Sequence, residues 1–146
     1  MIQKLLVLCV GNICRSPIAE VLFSARLKNR FHVVIQSAGL AALVGRPADP
    51  MSCCLVEKHG YSLSHHRARQ LTPELLFSSD LILTTTLAQQ EDLQLSYPAV
   101  RGRVHRLGKW GGYDIVDPFQ RPQIVFEQAY ALIEQSVNDW CQRLWK

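Results

Sequence analysis

The stretch CVGNICRSP, residues 9–17, decides how the rest of the chain is interpreted. It overlaps the end of the continuous apolar run Leu5–Val10, which is typical of a strand buried on both faces of a sheet. Pro17 suits the first position of a helix, and apolar residues then recur at a helical period to about Asn29. The sequence therefore predicts a strand, a tight loop and a helix, with the loop just beyond the carboxyl end of the strand.

The remaining segments continue the alternation of strands and helices. Further strands are predicted at His32–Gly39, Asp80–Thr86 and Arg103–Leu107, and helices at Asp49–Gly60, from Thr72 onwards, at Leu87–Leu95 and at Pro122–Trp145. Strands separated by helices indicate a parallel sheet. We therefore expect an α/β fold in a single domain of residues 1–146. Its four-stranded parallel sheet has the order 2-1-3-4 and carries helices on both faces, with the loop after the first strand at the ligand-binding edge.

The composition bounds the class of protein. The 146 residues suffice for one domain with a sizeable core. The formal net charge of +4 at pH 7 comes without a dense run of Lys or Arg, which argues against nucleic-acid binding. No apolar stretch reaches the roughly 18 residues of a membrane span, and the short N-terminal run lacks a small-residue cleavage site. The five cysteines lack the spacing of a disulfide framework, so we expect a cytoplasmic protein without membrane insertion.

The residue types of the loop favour phosphate chemistry. The free N–H groups and the positive dipole of the following helix point back at the loop, whose own N–H groups can form an anion cradle. Arg15 offers a planar fork for two phosphate oxygens, and these positive surroundings favour the thiolate form of Cys9, a competent nucleophile at phosphorus. Ser16 can donate its hydroxyl to that thiolate. The candidate phosphate-binding residues are Val10, Gly11, Asn12, Ile13 and Cys14. A strand-to-helix turn that merely holds two buried cysteines is the simpler alternative.

A second group of cysteines, Cys53 and Cys54, precedes several histidines in the chain. The spacing resembles no common zinc pattern, and adjacent helical cysteines face different directions. We therefore expect no metal and no cofactor, with one of these cysteines in the core and the other on the surface.

The segment VLCVGNICRSPIAE, residues 7–20, resembles the signature of the low-molecular-weight protein tyrosine phosphatases. Further matches follow in the family's order along nearly the whole chain: SAGL at 37–40, PADP at 47–50, ARQ at 68–70, DLILT at 80–84 and DPF at 117–119. The loop, Leu40 and the segment ALVGRPADP at 42–50 resemble most the bacterial branch that acts on tyrosine autokinases of capsule and exopolysaccharide export.

The resemblance implies a metal-independent tyrosine phosphatase whose partner is a phosphotyrosine protein such as a tyrosine autokinase, and a monomer or weak dimer. Cys9 would form a cysteinyl-phosphate, Arg15 would hold the phosphate oxygens, and Asp117 would protonate the departing phenolate oxygen. The matching network residues are Asn12, Ser16, Ser37 and His66, and the matching cleft walls are Leu40 and Phe119.

Asp114 lies in the same glycine-containing loop as Asp117 and competes with it as general acid. Asp117 is preferred because Pro118 stiffens its neighbourhood and because it matches the family. Trp110 and Tyr113 belong to that loop too, and we expect them to cover the sheet rather than line the cleft.

Cys14 has two interpretations. It can be a small buried apolar residue, or, as the family resemblance suggests, a partner that forms a reversible disulfide with Cys9 and protects it from irreversible oxidation. Both interpretations place it inside the cradle.

Two departures from the family concern substrate preference rather than activity. Phe119 stands where tyrosine is usual, and TTLAQQED at residues 85–92 replaces a segment that often carries a Met-acid pair and a later histidine. Three other functions compete. A thioredoxin-coupled arsenate reductase would need further cysteines near the third strand, and a cysteine-phosphorylated phosphocarrier would need no general acid. A silent phosphotyrosine-binding module would need only the cradle and Arg15.

Overall fold

A computed structural model describes residues 1–28 and 30–145, which form alternating strands and helices. In chain order these are β1 (Lys4–Cys9), α1 (Arg15–Leu27), β2 (Val34–Gly39), α2 (Pro50–Lys58), α3 (Pro73–Ser78), β3 (Leu81–Thr84), α4 (Leu87–Ser96), a 3₁₀ helix (Pro98–Arg103), β4 (Val104–Arg106) and α5 (Gln123–Leu144). The sequence missed the 3₁₀ helix, and the predicted end of the first helix at Asn29 lies outside the described residues.

The four strands form one parallel sheet in the order β2-β1-β3-β4, so the predicted topology is confirmed. β1 occupies the centre, where Cys9 pairs with Gly39 of β2 and Leu8 pairs with Thr84 of β3. The carboxyl ends of these strands therefore lie side by side, and the chain order reverses direction at β1. This is the edge at which sheets of this type bind ligands.

Alternate residues of the central strands face opposite sides of the sheet, and each side has its own core. Leu5 and Val7 of β1 pack with α1, α2 and α5 in the larger cluster, while Leu6 and Leu8 pack with α3 and α4 in the smaller one. All four side chains are 0 % exposed. An uninterrupted apolar run is thus required because both faces of this strand are covered by helices.

The observed bounds of the first two elements differ slightly from those predicted. β1 ends at Cys9 rather than at Val10, which leaves the sheet and is 40 % exposed. α1 begins at Arg15, so Pro17 is its third residue rather than its first. That position tolerates proline because the first four N–H groups of a helix have no partner within the helix. Arg15 is consequently fixed by helical geometry at the end of the loop.

Three later helices begin at the positions that the capping residues predict. The Asp49 carboxylate accepts a hydrogen bond from the N–H of Met51 at 2.9 Å, and Thr72 caps α3 in the same way. Thr86 and Gln89 form a reciprocal capping box at the start of α4. These caps fix where each helix starts relative to the ligand-binding edge of the sheet.

The C-terminal helix α5 closes the larger core. One face is buried against the sheet and α1; its buried residues are Phe126, Ala129, Tyr130, Ile133, Ser136, Val137 and Trp140. The other face is polar or exposed. Within residues 1–28 and 30–145, no helix is both long enough and apolar enough to cross a membrane.

Candidate active site

The loop that follows β1 has its carbonyl groups turned towards other segments. Four of the carbonyl oxygens between residues 9 and 13 accept hydrogen bonds from N–H groups of the segment 40–49, at 2.8–3.0 Å. The fifth, that of Asn12, accepts from Nε2 of His66 at 2.6 Å. Among the described residues, the N–H groups of Gly11, Ile13 and Cys14 have no acceptor. These amides are available to an anion in the concave side of the loop.

Cys9 ends β1 at the floor of this loop and is 2 % exposed. Its Sγ lies 2.9 Å from the hydroxyl oxygen of Ser16 and 3.3 Å from the backbone nitrogen of Asn12, which donates to it. The N–H of Asn12, and the Ser16 hydroxyl when its hydrogen points at the sulfur, stabilise negative charge on that sulfur.

Asn12 connects the loop to β2 and to the segment that follows α2. Its side-chain Nδ2 donates to the hydroxyl oxygens of Ser16 at 2.8 Å and Ser37 at 3.0 Å, and its Oδ1 accepts from the backbone N–H of Arg69 at 2.9 Å. Its φ of 60° lies in the left-handed region, which few non-glycine residues adopt without local support. The structure therefore brings together all four predicted network residues, including His66.

Two further residues, Glu20 and Arg69, belong to this network and were not predicted from the sequence. Ser37 donates its hydroxyl hydrogen to Oε1 of Glu20 at 2.5 Å, and the Nε of Arg69 donates to the carbonyl oxygen of Ser37 at 2.9 Å. Glu20 follows Ser16 by four residues, so both lie on one face of α1. That spacing was a signal in the sequence, whereas the contribution of Arg69 depends on a long-range contact.

Arg15 is the first residue of α1 and is 3 % exposed. Its Nη1 donates to the carbonyl oxygen of Ile115 at 2.8 Å, and its Nη2 is 3.6 Å from Oδ2 of Asp117. Its buried Nε has no hydrogen-bond partner among the described residues. A buried guanidinium N–H without a partner is costly, so its presence beside an anion cradle indicates a ligand oxygen as the missing acceptor.

Asp117 and Asp114 have different surroundings although they are only three positions apart in the sequence. Asp117 borders the same cavity as Cys9 and Arg15, and its side chain is 48 % exposed. Asp114 instead pairs with Arg106 at 3.0 Å and accepts from the backbone N–H of Leu87 at 3.0 Å. The geometry therefore favours Asp117 over Asp114 as the acid that faces the nucleophile.

The cavity above the loop has a polar floor and apolar walls. Its lining residues are Cys9, Val10, Gly11, Ile13, Cys14, Arg15, Ala41, Leu43, Asp117 and Phe119. Phe119 is where it was expected, but Leu40 is not among them. Leu40 lies in the turn that directly follows β2, is half-buried and packs against the smaller core. Ala41 and Leu43, from the segment after it, line the cavity.

The chain matches known proteins along nearly its whole length. The family model of the low molecular weight phosphotyrosine protein phosphatases matches residues 4–146. The chain belongs to this family. The probable low molecular weight protein-tyrosine-phosphatase EpsP of Ralstonia nicotianae is 42 % identical over 144 residues, which are 99 % of this chain and 97 % of EpsP.

Two solved structures of other members superpose closely on this phosphatase. The tyrosine phosphatase AmsI of Erwinia amylovora has a TM-score of 0.93 at 37 % identity and covers 100 % of this chain and 95 % of its own. Vibrio vulnificus Wzb in complex with benzylphosphonate has a TM-score of 0.92 at 35 % identity. The match covers 99 % of this chain and 100 % of the Wzb chain. The predicted family, fold and enzyme class are confirmed, and the arsenate reductase and phosphocarrier alternatives are not favoured.

The second loop cysteine of this phosphatase, Cys14, is 4 % exposed and packs in the larger core. Burial, followed by the nearby Asp49 carboxylate, raises the pKa of the Cys14 thiol far above its ordinary value. Cys14 is therefore a protonated thiol at neutral pH. It also borders the cavity, so both interpretations from the sequence are compatible with its position.

The other candidate residues lie away from the cavity. Cys53 is half-buried and Cys54 is exposed. Tyr113 places its hydroxyl 2.8 Å from that of Ser136, and the ring of Trp110 meets Trp140 edge-on with centroids 5.2 Å apart. Both aromatic residues therefore pack against α5 and cover the core. In the described part of the chain, no group of three or more His, Cys, Asp or Glu side chains is placed to hold a metal ion.

Proposed function

We propose that this phosphatase hydrolyses phosphotyrosine through a cysteinyl-phosphate on Cys9. The observation that carries the proposal is the convergence of Cys9, the unpartnered Nε of Arg15 and Asp117 on one cavity. The Cys9 sulfur attacks phosphorus, the bond between phosphorus and the phenolic oxygen breaks, and Asp117 gives its proton to the departing oxygen. Asp117 then accepts a proton from the water that releases inorganic phosphate.

Arg15 binds the phosphoryl group throughout this sequence. Its Nη1 is held by the carbonyl of Ile115, which leaves Nε and Nη2 as a fork for two phosphate oxygens. The free N–H groups of the loop supply further donors. Because none of these groups has to move to receive charge, they stabilise the transition state at little reorganisation cost.

The apolar walls suit an aromatic leaving group. Val10, Ala41, Leu43 and Phe119 surround the entrance, and a tyrosine ring between them removes apolar surface from water. Phe119 provides a stacking face but no hydroxyl. Benzylphosphonate, which the Vibrio vulnificus relative binds, combines the same two parts: a tetrahedral anion and a six-membered aromatic ring.

We further propose that the protein substrate is a tyrosine autokinase of exopolysaccharide or capsule export, and that the phosphatase acts in the cytoplasm as a monomer or weak dimer. Support comes from the loop, from Leu40 and from residues 42–50, which resemble the bacterial branch of the family. The relatives EpsP and AmsI are bacterial tyrosine phosphatases of nearly the same length.

Matched phosphotyrosine and phosphoserine peptides test the proposed specificity. With a chelator present and no added metal, we expect the phosphotyrosine peptide to be hydrolysed at least about 100-fold faster, because a serine side chain cannot fill the apolar walls and is a poorer leaving group. Phosphate release reports the rate, and arsenate reduction is assayed in parallel. Equal rates on the two peptides, or arsenate reduction at a comparable rate, would contradict the proposal.

Cys14 supplies a redox prediction for the same site. If peroxide oxidises the Cys9 sulfur to a sulfenic acid, the Cys14 thiol attacks that sulfur, a disulfide forms and water leaves. We expect mass spectrometry after mild peroxide to find a Cys9–Cys14 disulfide, and a thiol reductant to restore activity. In Cys14→Ser, peroxide should instead drive Cys9 to irreversible acids, whereas Cys54→Ser should behave as the wild type. Sulfonic acid at Cys9 of the wild type would count against a protective role.

A further inference from the structure

A continuous chain of hydrogen bonds leads from Glu20 to the Cys9 sulfur. Glu20 accepts from Ser37, Ser37 accepts from Asn12, Asn12 also donates to Ser16, and Ser16 meets Cys9. We propose that Glu20 is a positioning residue that holds the Ser37 hydroxyl as an acceptor for Asn12 and so keeps the Asn12 amide in place beside Ser16 and Cys9. This inference rests on the proposed role of Cys9 as the nucleophile.

The orientation of the Ser37 hydroxyl follows from the chemistry of the Glu20 carboxylate. A carboxylate only accepts hydrogen bonds, so Ser37 uses its single hydroxyl hydrogen on Glu20 at 2.5 Å. The lone pairs of Ser37 are then left for Asn12, whose Nδ2 approaches to 3.0 Å. Without this acceptor the Ser37 hydroxyl could turn its hydrogen towards Nδ2 of Asn12, which cannot accept it, and the hydrogen bond between Ser37 and Asn12 would be lost. Glu20 prevents that rotation.

The side-chain amide of Asn12 connects Ser37 to Ser16. Nδ2 carries two hydrogens, one for Ser37 and one for Ser16 at 2.8 Å. Because Ser16 accepts from Asn12, its own hydrogen is free to point at the Cys9 sulfur at 2.9 Å. The backbone N–H of Arg69 fixes the other end of the same amide by donating to Oδ1.

Glu20 lies at the edge of the core, so a substitution there leaves no cavity among fully buried side chains. Glu20 is half-buried, whereas Ser37 and Asn12 are 3 % and 0 % exposed. It borders a cavity beside α1 that is also lined by His65 and His66 from the segment after α2. A merely structural Glu20 would tie α1 to β2 and affect stability alone, so the test must report on Cys9 itself.

Two substitutions separate the accepting group from the rest of the side chain. Glu20→Leu removes the acceptor, while Glu20→Gln keeps a carbonyl oxygen. Since Glu20→Leu weakens the hydrogen bonds that hold Asn12 and Ser16 beside Cys9, we expect it to slow phosphoenzyme formation and the alkylation of Cys9 by iodoacetate by about fivefold to tenfold. KM and the inhibition constant of inorganic phosphate should stay within about twofold, since the cradle amides are unchanged. Glu20→Gln should recover most of both rates. Glu57→Leu, at an exposed position of α2, is the matched control.

A double-mutant cycle with Ser37→Ala shows whether Glu20 acts through Ser37. We expect Glu20→Leu to have no further effect on the alkylation rate once Ser37 has lost its hydroxyl. Additive effects in the cycle, or wild-type alkylation and turnover in folded Glu20→Leu, would overturn the inference. Failure of the wild type itself to hydrolyse aryl phosphates would instead overturn the proposed function, so the two failures are distinguishable.

Discussion

Replacing Cys9 with serine is expected to lower turnover of aryl phosphates by at least about 10⁴-fold while inorganic phosphate still binds. A serine hydroxyl is not ionised at neutral pH. Among the described residues, the groups within hydrogen-bond distance of this position are the Ser16 hydroxyl and the backbone N–H of Asn12, and neither is a strong base. The anion cradle does not depend on the sulfur, because its carbonyls are held outward by the segment 40–49 and by His66.

Steady-state rates on para-nitrophenyl phosphate and calorimetric titration with phosphate measure the two halves of this prediction. The matched control is Cys54→Ser, an equivalent change at an exposed cysteine of α2, which should leave both quantities unchanged. Wild-type turnover by Cys9→Ser would exclude the covalent mechanism. Loss of phosphate binding along with turnover would show that the sulfur supports the shape of the cradle.

Much of the fold was predictable because its signals are local. The buried central strand is an unbroken apolar run, and Asp49 and Thr72, each followed by a proline, mark helix starts through hydrogen bonds that reach only two or three residues. The weak signals were the 3₁₀ helix at 98–103 and the exact start of α1. Both depend on how the chain packs rather than on its local pattern.

The site was predictable where the residues are close in sequence, and less so where the fold joins distant segments. Cys9 and Arg15 are connected by one loop, whereas Glu20 becomes important only because β2 brings Ser37 against α1. The placement of Leu40 could not be predicted in the same way. The family resemblance suggests a cleft wall, and the structure shows Leu40 in the turn after β2, packed partly against the smaller core, with Leu43 among the residues that line the cavity. Where such a side chain points depends on how the turn packs, which a motif does not encode.

Replacing Asp117 with asparagine is the second large effect that the geometry implies. Asparagine keeps the shape of the side chain but cannot deliver the proton that a departing phenolate needs. Phosphoenzyme formation from a phosphotyrosine peptide should therefore slow by about 100-fold, while a dinitrophenyl phosphate, whose leaving group needs no proton, should lose only a few-fold. The measurement is a series of aryl phosphates of graded leaving-group acidity, for which the variant should show a much steeper dependence of kcat/KM than the wild type.

Asp114→Asn provides a control from the same loop, because Asp114 is engaged with Arg106 and with the start of α4 rather than with the cavity. It should retain the wild-type dependence on the leaving group, even if loss of its ion pair lowers stability slightly. Equal losses for good and poor leaving groups in Asp117→Asn would show that Asp117 acts by holding Arg15, from which it is separated by 3.6 Å, and not as the acid. A steeper dependence in Asp114→Asn would transfer the acid role to Asp114 and require the loop to move over the cradle during turnover.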